Sequence, residues 1–308
     1  MKSLVKEYYD LDVEIIIKLT DKVYRLKCKQ GEYIFKIIDN IELESIYARI
    51  SVLDLTDFLI PLKNNFDEYL SKTDDYYFEV SLYYKDELII AKDIRLKMYL
   101  EKIALLHNKS AYEMKVNEGF YNETFEFINK EFDEAKKSLD DYLFKIEALD
   151  YKSPSEWLFL MNNQLFYKAL EDGKKYIEKF KDETVNKSLL RVSLTYQNFD
   201  YSHILLKENK IIANQKMVIA PPIYDIKHLF DMSYNGAIDI TGFIKDYFNS
   251  FNLMDNEKYW LISLLLLPNY KFDSLVKYSE VDSIVSITRS IEHFKSAFEI
   301  EALLINKE

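Results

Sequence analysis

The stretch SLTYQNFDYSHILL (193–206), with IIANQKMVIAPPIYDIKHLF (211–230) after it, gathers side chains that can move protons or bind ions. Tyr196, Gln197, Asn198, Asp200, His203 and Asn214 lie around two short apolar runs, Ile204-Leu205-Leu206 and Ile211-Ile212, joined by Lys207-Glu208-Asn209-Lys210. That pattern predicts a small hairpin at about 202–214 beside a polar loop, a usual place for catalytic groups. The residue types limit the chemistry. Asn198 has nearly the shape of an aspartate but no charge, so it cannot take a proton from a hydroxyl. Asn214 offers no anionic oxygen to a hard divalent cation, and His203 offers nitrogen, which such a cation disfavours. Asp200 is the one carboxylate within the loop, and Asp225 opens a predicted helix after Pro221-Pro222.

Alternation and turn signals make the first ~90 residues strand-rich with one helix. Ile15–Leu19 is a short strand. Val23–Lys29 and Tyr33–Ile38 form a hairpin turning at Gln30-Gly31-Glu32, with Lys36 between Phe35 and Ile37. Asp39-Asn40 caps a helix with apolar residues at 43, 46, 50 and 53, which also carries Glu42 and Glu44. Strands over 68–72 and 76–84 follow. Helices are expected at 93–107, 120–148 and 155–180, the last opened by Ser153-Pro154-Ser155, and again from Asp225, at 238–251, 256–266 and 281–304. The expected architecture is α+β: a strand-rich lobe over 1–88, a hinge near 83–90, and a mainly helical lobe over 89–308.

Composition narrows the function. With 308 residues, 48% hydrophobic and 30% charged, the chain is an ordinary globular protein of one or two domains. Five glycines are too few and too scattered for a glycine-rich phosphate loop. A net charge of -11 gives no general attraction for nucleic acid or for an anionic membrane. The lone Cys28 excludes an internal disulfide and a cysteine-based zinc site. The start, MKSLVKEYYDLDVE, lacks the apolar core of a signal peptide, and the apolar run 259–267 is halted by Pro268 short of a membrane span. These features lead us to expect a cytoplasmic protein.

Element order and motifs together resemble the kinase-like phosphotransferases, in particular the aminoglycoside and choline kinase group and, within it, the spore-coat CotS-type proteins. The resemblance implies a two-lobed protein-kinase-like fold, with a small antiparallel-sheet lobe bearing one helix and a larger helical lobe. VYRLKCKQGEYIFKII (23–38) resembles the family's second and third strands and places Lys36 where a lysine meets nucleotide phosphates. The following helix implies a glutamate holding that lysine, for which Glu44 is the candidate. LEKIALLHNKS (100–110) resembles a helix ending in a Leu-His pair, with His107 as a packed structural residue. The family's His-Gly-Asp, then Asn, then strand falls on Tyr196, Gln197, Asn198 and His203. Its metal-binding Ile-Asp pair falls over Ile212-Ala213-Asn214, which makes Asn214 the stand-in for the aspartate. APPIYDIKHLF (220–230) matches the family's proline-aspartate segment, so Asp225 takes the place of an aspartate that braces the catalytic loop.

The brace survives while the acidic positions at 198, 203 and 214 do not. The resemblance therefore implies a catalytically inactive kinase-like protein acting as a scaffold for an unknown protein or small-molecule ligand, with no cofactor firmly implied. Two alternatives stand beside it. One is an active small-molecule phosphotransferase using ATP and Mg²⁺, with Lys36 for nucleotide and Asp200 or Asp225 for chemistry. The other is a structural spore-coat-type protein.

Overall fold

The computed structural model describes residues 1–85, 92–236, 239–269 and 271–305. In chain order the elements are α1 (Lys2–Tyr9), β1 (Val13–Lys18), β2 (Val23–Cys28), β3 (Gly31–Ile38), α2 (Leu43–Val52), β4 (Ser71–Lys72), β5 (Tyr77–Leu82) and α3 (Lys92–Ser110). Then come β6 (Tyr112–Lys115), α4 (Phe120–Glu147), α5 (Pro154–Thr184), β7 (Leu189–Thr195), β8 (Ile204–Leu205), β9 (Lys210–Ile211) and β10 (Val218–Ala220). Helices α6 (Ile223–Gly236), α7 (Thr241–Ser250), α8 (Asp255–Leu265) and α9 (Glu280–Ile305) complete the chain. They divide into two compact units, Met1–Ala111 with Ser193–Ala220, and Tyr112–Val192 with Pro221–Glu308. The expected boundary at 88/89, and most of the expected hinge near 83–90, lie outside the described residues.

In the first unit, five antiparallel strands run in the order β1-β2-β3-β5-β4. Phe35 on β3 sits opposite Val80 on β5, and Ile37 opposite Phe78, so one face carries the apolar side chains. Those side chains pack with Val5, Leu11, Leu26, Cys28 and Tyr33 into a core that α1 helps to cover. Helix α1 is a correction to the single helix expected here; its short, charged sequence hides an apolar edge of Leu4, Val5, Tyr8 and Tyr9. The other sheet face bears Lys36 opposite Glu79. Helix α2 begins beyond Asn40, whose Oδ1 accepts from Glu42 N at 2.9 Å, and buries Leu43, Ile46, Tyr47 and Ile50. The strand expected over 68–72 shrinks to two residues, because Asn64 and Glu44 take the backbone donors of residues 66–70 instead. The β8–β9 hairpin forms where expected, with Ile204 opposite Ile211. Strand β10 pairs with Ser193–Thr195 of β7, an addition to the loop expected there.

The second unit is helical apart from β6, which pairs with Leu189–Val192 of β7. The start of α5 is fixed by a reciprocal cap: Ser153 Oγ accepts from Glu156 N, and Glu156 Oε2 accepts from Ser153 N at 2.6 Å. Phe132, Phe159, Phe166, Phe180, Trp260 and Phe294 fill the space between the helices. His293 is buried in that core against Phe230 and Phe294. Burial, with the charge of Lys227, pushes its imidazole down to about 3, against the backbone bonds to Leu265 and Leu267. Below the ordinary pKa of 6.5 the unfolded chain binds a proton that the folded one refuses, so stability is full above that value and falls with acid. Between pH 7 and 5.5 this one group should cost about 1–1.5 kcal/mol, read in urea melts and absent from His293→Phe.

Candidate functional site

The polar loop is built outward from Tyr196. Its ring is fully buried against Phe58 and Tyr99, and its hydroxyl donates to the Ile212 carbonyl. Gln197 follows in the left-handed region (φ 46°), and Ala213 repeats that conformation at φ 64°. Such backbone costs a non-glycine residue roughly 1–2 kcal/mol and collects at functional loops. Gln197 stands where the resemblance has glycine, so the loop keeps its shape without the residue that adopts it most easily.

The turn brings the three candidate positions together. Asn198 Nδ2 donates to the Ala213 carbonyl at 2.8 Å. His203 Nδ1 lies 2.8 Å from the Asn198 carbonyl, which can only accept, so that nitrogen carries the hydrogen. Burial pushes the His203 pKa down, with Lys36 and Lys216 adding to the effect and the Asn198 bond opposing it, which leaves a neutral ring at pH 7. Asn214 is 1% exposed and donates through Nδ2 to the Leu59 carbonyl at 2.8 Å. That bond fixes the amide's orientation, and Oδ1 is left buried with no partner. An unanswered acceptor of this kind costs about 1–3 kcal/mol.

Lys36 and Asn214 line one cavity of about 240 Å³, together with Leu19, Val23, Ile34, Leu82, Leu205 and Ile212. Lys36 Nζ lies 4.0 Å from Glu79 Oε1. Burial pushes the Lys36 pKa below its ordinary value, and the Glu79 charge opposes the shift. Glu79 accepts from Gln215 Nε2 at 2.8 Å through Oε1 and from the Tyr47 hydroxyl at 2.7 Å through Oε2. Strands β3 and β5, helix α2 and the turn at 214–216 thus meet on one carboxylate.

This corrects the expected partner of Lys36. Glu44 does not hold it: both of its oxygens accept backbone donors, Tyr69 N at 3.0 Å and Leu70 N at 2.7 Å. Glu79, Tyr47 and Gln215 were not anticipated from the sequence. The available signal was that 33–38 and 77–82 each carry one charge of opposite sign in an apolar strand, as cross-strand partners do. Asp200 turns into its own loop, its Oδ1 accepting from Ser202 N at 2.7 Å and Ser202 Oγ at 2.6 Å. The Ser202 hydroxyl, aided by its amide, holds that carboxyl below the ordinary range, which makes it a poorer base. Asp225 belongs to the second unit, fully buried in the first turn of α6, where the helix dipole favours its charge. His107 is buried in α3, the packed histidine its apolar stripe foretells. Among the described residues, no group of three or more His, Cys, Asp or Glu side chains could hold a metal ion, and no helix is long and apolar enough to cross a membrane.

No protein-family model and no curated protein match the sequence. Solved structures do. An aminoglycoside phosphotransferase from Alicyclobacillus acidocaldarius superposes over 98% of this chain and 94% of its own, with a TM-score of 0.66 at 12% identity. The AMP-bound complex of a spectinomycin phosphotransferase covers 100% and 98%, with a TM-score of 0.54 at 12% identity. At such identities the likeness concerns the fold: the chain has the mixed helix-and-sheet fold of the kinase-like phosphotransferases.

Proposed function

We propose that this protein is a kinase-like scaffold that binds a ligand or partner and does not transfer phosphate. The observation that carries the proposal is the state of Asn214. At the position the resemblance gives to the metal-binding aspartate stands a neutral amide whose orientation is locked by Leu59. Phosphoryl transfer rests on positioning and on charge that offsets the phosphates, and Mg²⁺ takes its place among anionic oxygens. Among the side chains that line this cavity the one carboxylate is Glu79, and it is committed to Tyr47, Gln215 and Lys36. The donor set does not fit the metal. The base is missing as well, because Asn198 is an amide and Asp200 faces Ser202.

The names of the structural neighbours suggest an active small-molecule phosphotransferase, which makes the decisive test a search for that activity. ATP should give no stabilisation that depends on Mg²⁺ in a thermal melt, and labelled γ-phosphate should stay on the nucleotide when amino-sugar acceptors are added. A metal-dependent rise of several degrees, or label on an acceptor, would remove the scaffold proposal, since ligand binding to the native state must raise the melting point.

A further inference from the structure

In the second unit, helices α5 and α9 lie side by side and run the same way. Near their starts Ser155 N and Oγ donate to Glu280 at 2.6 and 2.8 Å. Farther along, the Tyr176 hydroxyl donates to Glu301 at 2.5 Å, with the same separation of 125 residues. We propose that the outer face of this helix pair is the interface of a two-fold homodimer, with α5 of each copy lying on α9 of the other. The proposal stands whether or not phosphate is transferred.

Periodicity is the first observation. Trp157, Met161, Gln164, Lys168 and Lys175 recur along α5 at the steps of a single helix face. Val281, Val285, Thr288, Glu292 and Glu299 recur along α9 at the same steps, and the register of the two helices sets them level with their counterparts. The stripes adjoin. Lys168 Nζ lies 3.8 Å from the centre of the Phe298 ring, and Leu165, Phe298, Ala302 and Ile305 line a groove of about 490 Å³ between the helices. At the uncharged end Met161 is 81% exposed and Val281 70%, with Trp157 and Val285 exposed beside them. Large apolar side chains grouped on a surface mark an interaction site.

Charge chooses the partner. Lys168 and Lys175 share one carboxylate, Asp172, at 2.6 and 2.7 Å, which leaves the α5 stripe one positive charge in excess. Glu292 is answered by Lys295 at 3.0 Å, so the α9 stripe keeps the one negative charge of Glu299. The face is therefore complementary to itself. A two-fold axis parallel to the helices sets Trp157 and Met161 on the partner's Val281 and the partner's Val285. It also sets Lys168 opposite the partner's Glu292 and Lys175 opposite the partner's Glu299. An axis across the helices would lay α5 on α5 and lose both charge pairs. Self-complementarity of this kind is what a two-fold interface requires.

Area is the third observation. From Trp157 to Lys175 the face is about 30 Å long and, across two helices, about 20 Å wide, or roughly 600 Å² per copy. The total of about 1,200 Å² reaches the lower limit of a stable interface.

Sedimentation equilibrium of the full chain should show monomer and dimer exchanging with a micromolar Kd. Met161→Glu, which puts an unpaired charge in the apolar end, should weaken the dimer at least about 100-fold. Lys175→Glu and Glu299→Lys should each weaken it about ten-fold, since each sets like charges together at both symmetry-related places. An equimolar mixture of those two variants should regain the native affinity, because every pair across the mixed dimer is again opposite in charge. All three positions are exposed, so the variants should melt with the native protein. Should Met161→Glu unfold, the charge exchange still decides. A native chain that stays monomeric at about 100 µM would overturn the proposal and leave the face to a different partner. A dimer indifferent to Met161→Glu, or a mixture no tighter than either variant alone, would overturn it as well.

Discussion

Glu79→Leu will destabilise the protein by about 3–5 kcal/mol, the cost of stranding one member of a buried ion pair. Lys36 remains among apolar walls with its carboxylate gone, and Tyr47 loses the acceptor for a buried hydroxyl. The double variant Lys36→Met, Glu79→Leu should recover most of the loss, because replacing both members with apolar groups is often neutral or stabilising. A double-mutant cycle from urea melts checks this, and independent losses that simply add would refute the coupling. The pH dependence provides a second check. The folded Lys36 pKa lies below 10.5, and losing Glu79 removes the influence that raises it. Below the folded pKa both states are protonated and the penalty is present in full. As pH climbs from there towards 10.5, the unfolded chain holds a proton the folded one has released, so stability rises. The deficit of Glu79→Leu should therefore narrow in alkali, and that of the double variant should not.

Gly173→Ala should cost the second unit about 2–3 kcal/mol, although alanine is the better helix former by about 1 kcal/mol. Gly173 lies inside α5, and a methyl group there would enter the ring of Phe132 at Cε1 and Cζ, with Leu266 Cβ only 3.2 Å away. Phe132 is fully buried, so its ring has little space to retreat into. Pairing the change with Phe132→Leu should return more than half of the loss in urea melts. Gly173→Ala as stable as the native protein would show that the two helices can separate at no cost.

The sequence revealed the elements better than the contacts. The α5 start was visible because Ser153 and Pro154 signal it locally, within one helical turn, where Glu156 completes the cap. The β8–β9 hairpin was visible for the same reason. Helix α1 was missed because its eight residues are polar on average and mark burial only at Val5. The short β4 was overestimated because side chains far from it in sequence, Glu44 above all, capture its donors. The site divides along the same line. Asn198, His203 and Asn214 come together through one turn and its neighbouring hairpin, so their spacing was informative. The partner of Lys36 depended on strand pairing across residues 36 and 79 and on a tyrosine reaching down from α2. Charge alone could not choose Glu79 over Glu44, since both are acidic residues near one lysine.

The first unit takes its last piece, residues 193–220, from beyond residues 112–192. Ile211 N donates to the Asp57 carbonyl, Leu59 N to the Ile211 carbonyl, and Asn214 to Leu59. On the ribosome, then, an early-made sheet must wait for a late-made clasp. At about 5–20 residues per second the intervening stretch takes roughly 4–16 s to synthesise. For that interval Phe58 and its neighbours stand without the hairpin that shelters them, and the nascent chain is most exposed to chaperones and to misassembly.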